Sequence, residues 1–395
     1  MDIPALQRAL AEQKLDGWLL YDFHGQNPTA LTALGLAGHM LTRRWFYLVP
    51  ARGEPRLLVH AIEVGSFPRE VAGRRASYTS WQSLRTELGR LLDGLPGRRL
   101  AMEYCAMAAI PYLSRVDAGT LELVRSFGVE VVSSGELVQR FLCRWSPRQV
   151  ASHVRALRAI DDAKDAAFAY VAAAHRQGDE PSETQVQDLL MKRFADARLV
   201  TDHPPIVAVN AHAGDPHYEP TAASALPIRP GDTLLIDLWA KGQDPGDVYA
   251  DITWVGFCGR KPPPRLVEIF GVTAEARDLG LRTVEQAWAE KRTLQGWEVD
   301  RKVREHVAAR GFGERFVHRT GHSIGTSVHG DGANLDDLET HDTRELVEGL
   351  AFSIEPGIYL PEEGLGVRSE IDVVLTPEGP QVFSKVQREI LRVAG

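Results

Sequence analysis

Short apolar runs rich in branched and aromatic residues punctuate the first third of the chain. GWLLYDF (17–23), RWFYLVP (44–50), PRLLVHA (55–61), RRLAMEY (98–104) and VEVVSS (129–134) read as strands. Between them lie stretches with helical spacing, at 4–14, from Ser83 to Leu92, and as turns within 110–128. Strands alternating with helices predict a layered α/β domain.

The pattern changes at Trp145-Ser-Pro147. Serine suits the cap of a helix and proline its first turn, so a long alanine-rich helix is predicted to run to about Gln177. A second begins in Pro181-Ser-Glu-Thr-Gln185, where Ser182 and Gln185 have the spacing of a capping box. From Ile206 onward the pattern is mostly β, interrupted by helical stretches at about 264–290 and 297–309. The expected organisation is an α/β N-terminal domain over 1–146 and an α+β domain over 147–395.

Composition narrows the classes of function. Hydrophobic residues make up 44% and charged residues 25% of 395, an ordinary globular balance. A net charge of -8 argues against nucleic acid or an anionic membrane as partner. Cys105, Cys143 and Cys258 are odd in number and widely spaced, so a disulfide framework is not expected and a reducing compartment fits. The N-terminal stretch has neither the basic nor the apolar region of a signal peptide, and no apolar run approaches a membrane span. The expectation is a cytoplasmic protein.

Two predicted strands break the apolar rule. LLIDLW (234–239) holds Asp237 at its centre, and VYADITW (248–254) holds Asp251. An unpaired carboxylate in a dry strand is costly. Between them lies Lys241-Gly-Gln-Asp-Pro-Gly-Asp247, whose Asp-Pro-Gly is strong turn chemistry. A hairpin about that turn brings the carboxylates near each other, where they repel unless one is protonated or a cation intervenes. The plainer alternative is a single aspartate capping a turn. Further on, His318-Arg-Thr-Gly-His-Ser-Ile-Gly-Thr-Ser-Val-His329 packs three histidines and two glycines into a dozen residues. Glu355 precedes Pro-Gly after an apolar run, and Glu370 opens a strand. Each glutamate alone is more often a solvated or salt-bridged surface group. Four carboxylates and a histidine form an oxygen-rich donor set suited to two hard or borderline divalent ions.

The order Asp, Asp, His-x-x-Gly-His, Glu-Pro-Gly-x-Tyr, Arg-x-Glu resembles the pita-bread metallopeptidases: prolidase, aminopeptidase P, methionine aminopeptidase and creatinase. The separate N-terminal domain resembles the branch that holds prolidase, aminopeptidase P and creatinase. The resemblance implies a creatinase- and prolidase-like N-terminal domain before a pita-bread catalytic domain. It implies Asp237, Asp251, His322, Glu355 and Glu370 as ligands of two divalent ions, manganese, zinc or cobalt, that activate a water. Glu355 would also shuttle a proton, and His217 and His329 would contact the substrate carbonyl or the tetrahedral intermediate. His318 would line the pocket. Arg368, or Arg344 with His341, would hold a substrate carboxylate, although Arg344 could instead pair with Asp342 or Glu345 at the surface. The implied activity is hydrolysis of Xaa-Pro bonds by a dipeptidase acting on proline-containing di- or oligopeptides. The alternatives are an aminopeptidase P acting on longer peptides, a creatinase-like hydrolase and a silent binding protein. A homodimer is also implied. Four positions depart from the family pattern: Trp239, Trp254, Ser323 and Ile371.

Overall fold

A computed structural model describes residues 1–393. Contacts divide the chain between Cys143 and Arg144.

The first unit runs α1 (Ile3–Glu12), β1 (Gly17–Asp22), α2 (Pro28–Leu34), β2 (Trp45–Pro50), β3 (Arg56–His60), β4 (Arg74–Tyr78), α3 (Trp81–Leu92), β5 (Arg99–Met102), α4 (Ala118–Arg125), β6 (Glu130–Ser133) and α5 (Gly135–Val138). Its sheet has the order β4-β3-β2-β1-β5-β6, with β2 antiparallel to both neighbours and the other pairings parallel. Strand β1 shows why its run is continuously apolar. Trp18 and Leu20 enter one core with α1, while Leu19 and Tyr21 enter another with α3. Both faces are covered, so there is no polar alternation to read. Strand β4 escaped the sequence reading because four of its five residues are exposed.

The second unit runs α6 (Pro147–Gln177), α7 (Glu183–Asp196), β7 (Leu199–Val200), β8 (Ile206–Val209), β9 (Thr233–Gly242), β10 (Ala250–Phe257), α8 (Pro264–Ala289), α9 (Gly296–Ala309), β11 (Ala351–Ile354), β12 (Gly357–Leu360), β13 (Leu365–Arg368), β14 (Ile371–Thr376), β15 (Gly379–Val382) and β16 (Leu391–Arg392). The start signals act as expected. Ser146 caps α6 in a box with Gln149, and Ser182 caps α7 in a box with Gln185. Strands β9 and β10 form the antiparallel hairpin, with β16 beside β10 and with β7 and β8 on the far edge of β9. Strands β11, β14 and β15 form a second sheet, and β12 pairs with β13. Helix α6 lies against one face of the hairpin, where Phe168, Ile236, Leu238 and Ile252 share a core. The opposite face of β9 and β10 carries the polar residues. Among the described residues, no helix is long and apolar enough to cross a membrane.

Candidate metal centre

The hairpin register builds the first wall of the site. Thr253 pairs with Asp237, and Asp251 with Trp239. Directly paired residues share a face, and so do residues two apart along a strand. Asp237, Trp239, Asp251 and Thr253 therefore point the same way, with the two aspartates diagonal to each other. Trp254, paired with Ile236, points to the other side, where its ring covers the Lys164 ammonium of α6 at 3.5 Å. That departure from the family pattern thus lies away from the carboxylates, whereas Trp239 stands beside them.

The second wall comes from the histidine segment and β11. Gly321 has no room for a side chain, since a Cβ there would lie 1.9 Å from the Ser353 carbonyl oxygen. This close approach lets Ser353 Oγ accept from His322 N–H at 3.0 Å, while Ser353 N–H donates to the His322 carbonyl at 2.9 Å. The Ser353 hydroxyl also lies 3.0 Å from Glu355 Oε1. Glu355 follows β11, and its N–H donates to the Thr320 carbonyl at 2.8 Å. Glu370 sits in the turn between β13 and β14.

These elements bring all five expected ligands into one buried cluster. Nitrogen and oxygen atoms of Asp251, His322 and Glu370 lie within 4.8 Å of one another, a group that could hold a metal ion. His322 Nε2 is 3.7 Å from Asp251 Oδ2 and 3.2 Å from Glu355 Oε1. The Thr253 hydroxyl lies 3.0 Å from Asp237 Oδ1 and 2.7 Å from Glu370 Oε2, and its single proton serves one of them at a time. Asp237, Asp251, His322 and Glu370 are buried, and Glu355 is half-buried.

The electrostatics fit a cation. Asp251 Oδ1 and Glu370 Oε1 are buried without a hydrogen-bond partner. Burial first, then the neighbouring carboxylates, push both acids well above the usual carboxylate range. Burial also raises Asp237, against the pull of Arg368. Burial, with Arg319 nearby, holds the His322 imidazole down to about 3, so its ring is neutral. With Nδ1–H donating to the Ser323 carbonyl at 3.1 Å, the Nε2 lone pair faces the carboxylates. An acceptor aimed at acceptors in a dry site is unfavourable until a cation sits between them.

Arg368 is buried inside this cluster. Its Nη2 pairs with Asp237, Nε donates to Thr253 Oγ1 at 3.1 Å, and Nη1 donates to Tyr359 Oη at 3.0 Å. Tyr359 passes the chain on to His318 Nε2 at 2.8 Å, and His318 Nδ1 meets the Arg319 carbonyl at 2.8 Å. His318 is thus a link that orients Arg368.

The other expected residues stand in different settings. His329 is exposed and stands edge-on to His322, with ring centroids 4.4 Å apart. His217 is exposed in the segment after β8; its N–H donates to Asp215, and the preceding Pro216 carbonyl lies 3.5 Å from Arg368 Nη1. Arg344 forms a two-pronged pair with Asp342, as one alternative held, but the pair is buried and not at the surface. A third donor, Nη1, goes to the Asp331 carbonyl at 2.7 Å. His341 is exposed and bound to Asp337 at 2.7 Å.

Four contributors were given no role from sequence: Thr253, Ser353, Asp372 and Tyr359, the last of which closes the Glu-Pro-Gly-x-Tyr motif. Asp372 Oδ2 accepts from the Asp251 N–H at 2.8 Å and lies 3.8 Å from His153 Nε2. Burial raises the Asp372 carboxyl well above its ordinary value and lowers His153 to about 4, so the His153 ring is neutral behind the ligands. The signal was present: IDVVL carries an aspartate in an apolar run, just as the two flagged strands do.

Fold and site together define a pita-bread protein, an α/β domain followed by an α+β domain whose hairpin carries a carboxylate-rich group able to hold metal. Residues 155–377, more than half of the chain, match the model of metallopeptidase family M24, and the chain belongs to that family. The Xaa-Pro dipeptidase of Pyrococcus furiosus is 33% identical over 190 residues, 47% of this chain and 48% of that one. The match spans about half the length of the first curated relatives. The probable dipeptidase PepE of Mycobacterium bovis is 25% identical over 370 residues, 91% of this chain and 92% of that one. The crystal structure of dipeptidase PepE from Mycobacterium ulcerans superposes with a TM-score of 0.74 at 23% identity, covering 100% of this chain and 97% of that one, a likeness of fold.

Proposed function

We propose that the chain is a metal-dependent exopeptidase that hydrolyses Xaa-Pro bonds, acting as an Xaa-Pro dipeptidase. The observation that carries the metal chemistry is the buried set of Asp237, Asp251, His322, Glu355 and Glu370, with unpartnered oxygens on Asp251 and Glu370 and a neutral imidazole nitrogen turned toward carboxylates. The substrate reading rests on the relatives, which bear the names Xaa-Pro dipeptidase and probable dipeptidase. Two divalent ions, of manganese, zinc or cobalt, held there would polarise the scissile carbonyl and make water a better nucleophile near neutral pH.

The side chains divide the remaining work. Glu355 is the most exposed of the five, and the Ser353 hydroxyl lies beside it, so it is placed to take a proton from water and return it to the leaving nitrogen. That nitrogen, in an Xaa-Pro bond, is a tertiary amide with no hydrogen of its own, and protonation makes it a leaving group. His329, edge-on to His322 and exposed, is the candidate to steady the carbonyl oxygen. Arg368 orients Asp237 instead of clamping substrate, because its donors are engaged inside the cluster.

Product analysis of the manganese-loaded protein with Ala-Pro and with a longer peptide beginning Ala-Pro tests the reading. Cleavage of the dipeptide alone is expected. Cleavage of the longer peptide as well moves the assignment to aminopeptidase P. Failure on both, with zinc and cobalt also supplied, defeats the peptidase reading.

A further inference from the structure

Trp239 is the one departure from the family pattern that shares a strand face with the ligands. It is paired with Asp251 and lies two residues from Asp237, so its side chain leaves the sheet on the same face as the two carboxylates. The ring is half-buried. It rests on a cluster that includes Ile324 and Val328, in the segment joining His322 to His329. The next residue on this face, Lys241, is tied back to the Thr326 carbonyl and lies over the Tyr249 ring at 5.2 Å.

The edge of the sheet places an acid over that indole. Strand β7 leaves β9 where Val200 faces Lys241, and β8 rejoins it where Ile206 faces Asp237. Residues 201–205 must therefore arch over only residues 238–240. Pro204 and Pro205 keep the arch from pairing, since proline has no N–H to give the ladder. Asp202, in this arch, accepts from Trp239 Nε1 at 2.8 Å. Its other oxygen faces His203 Nδ1 at 3.7 Å, and its charge also acts through space on the Lys241 ammonium, which is hydrogen-bonded elsewhere, to Thr326. The carboxylate is exposed. An aromatic wall next to the metal ligands, with an exposed acid fixed to its polar edge, suits one end of a peptide in particular: an ammonium attached to a small side chain.

We infer that Trp239 and Asp202 form the subsite for the substrate's first residue, the indole limiting its side chain and the carboxylate holding its free ammonium. The inference deepens the peptidase reading and rests on it for the site's use. It makes small first residues the preferred ones and makes Trp239 a specificity determinant rather than a catalytic residue.

The test uses the manganese-loaded full chain with Gly-Pro, Ala-Pro, Leu-Pro and Phe-Pro. In the wild type, kcat/KM should fall by roughly tenfold or more from Ala-Pro to Phe-Pro, the scale on which a pocket rejects excess methylenes. Trp239→Ala should abolish that fall, and Trp239→Phe should partly restore it. Asp202→Asn should raise KM for Ala-Pro roughly tenfold at unchanged kcat, the loss of one charge-assisted contact. It should leave propanoyl-proline, which lacks the ammonium, unaffected. Calorimetric binding of free alanine, leucine and phenylalanine to the same proteins needs no turnover. An unaltered size profile in Trp239→Ala, or equal effects of Asp202→Asn on both substrates, overturns the inference. If no dipeptide is cleaved, the peptidase reading falls. A binding series that narrows with side-chain size and opens in Trp239→Ala then upholds the subsite, and a flat series overturns it.

Discussion

Each unit buries carboxylates in an apolar setting, and Glu103 in the first and the Asp251 and Glu370 pair in the second meet the problem in opposite ways. Glu103, 1% exposed in the first unit, lies within reach of three neutral donors. Trp18 Nε1 gives to it at 2.6 Å, Asn27 Nδ2 at 2.8 Å and Ser134 Oγ at 3.1 Å. Burial raises its carboxyl, and these donors pull it back. In the second unit, Asp251 and Glu370 each keep an oxygen with no partner, and a neutral imidazole offers them a lone pair rather than a proton. The first arrangement is complete as protein. The second is complete only with a cation. A buried acid therefore points to function when its surroundings withhold the donors that a structural acid collects.

The sharpest break of this contrast is in activity. Glu370→Gln should lower kcat/KM for Ala-Pro by roughly a thousandfold or more, since several kcal/mol of charge stabilisation depend on the ligand set. Bound metal, measured by elemental analysis, should fall in the same variant. A variant with full metal content and activity would remove Glu370 from the site.

Next in size is stability in the first unit. Glu103→Leu strands the Trp18, Asn27 and Ser134 donors, and the cost should be about 3 kcal/mol in urea unfolding. A neutral result would show that water reaches those donors.

Behind the ligands, His153 supplies a pH test. Its folded value of about 4 lies below the 6.5 of a free ring, because burial disfavours the charged form. As pH falls from 6.5 to 4, the unfolded chain takes up a proton that the folded chain refuses. Stability is thus whole above 6.5 and should drop through that window by up to about 3 kcal/mol. The difference between wild type and His153→Gln, followed by urea unfolding in chelator, should vary with pH in that sense. A constant difference would mean that the ring already carries its proton.

The smallest effect has the most informative sign. In chelator, Glu370→Gln removes an acid whose charged form burial and the neighbouring carboxylates disfavour, and the metal-free protein should gain about 1 kcal/mol. Removing an acid should thus stabilise the second unit and destabilise the first. Two losses of stability would erase the distinction between them.

Much of the site was legible in the chain. Asp237 and Asp251 announced themselves by interrupting apolar strands, and Asp-Pro-Gly announced the turn between them. The glycine before His322 was visible as a motif, but its reason, a Cβ meeting the Ser353 carbonyl, was not. Arg368 and Arg344 were expected to face substrate, yet each is turned inward onto an aspartate, Asp237 and Asp342. One-dimensional spacing cannot assign the partner of a long side chain, because its reach covers many neighbours that only folding brings near. Strand β4 was missed for a related reason: its exposed, charged residues carry no hydrophobic rhythm, and pairing with β3 alone makes it a strand.

By itself, then, the sequence determined the layered α/β and α+β halves and the helix starts at Ser146 and Ser182, and the resemblance of its motifs supplied the five donors as an expectation. Periodicity, caps and ligand chemistry are local or depend on residue type, so they survive in a one-dimensional text. The tertiary structure decided which donors remain unsatisfied, which way Trp239 and Trp254 point, and that Asp202 lies over the indole. Those depend on strand register and on segments distant in the chain, where a shift of one residue would turn every side chain to the opposite face.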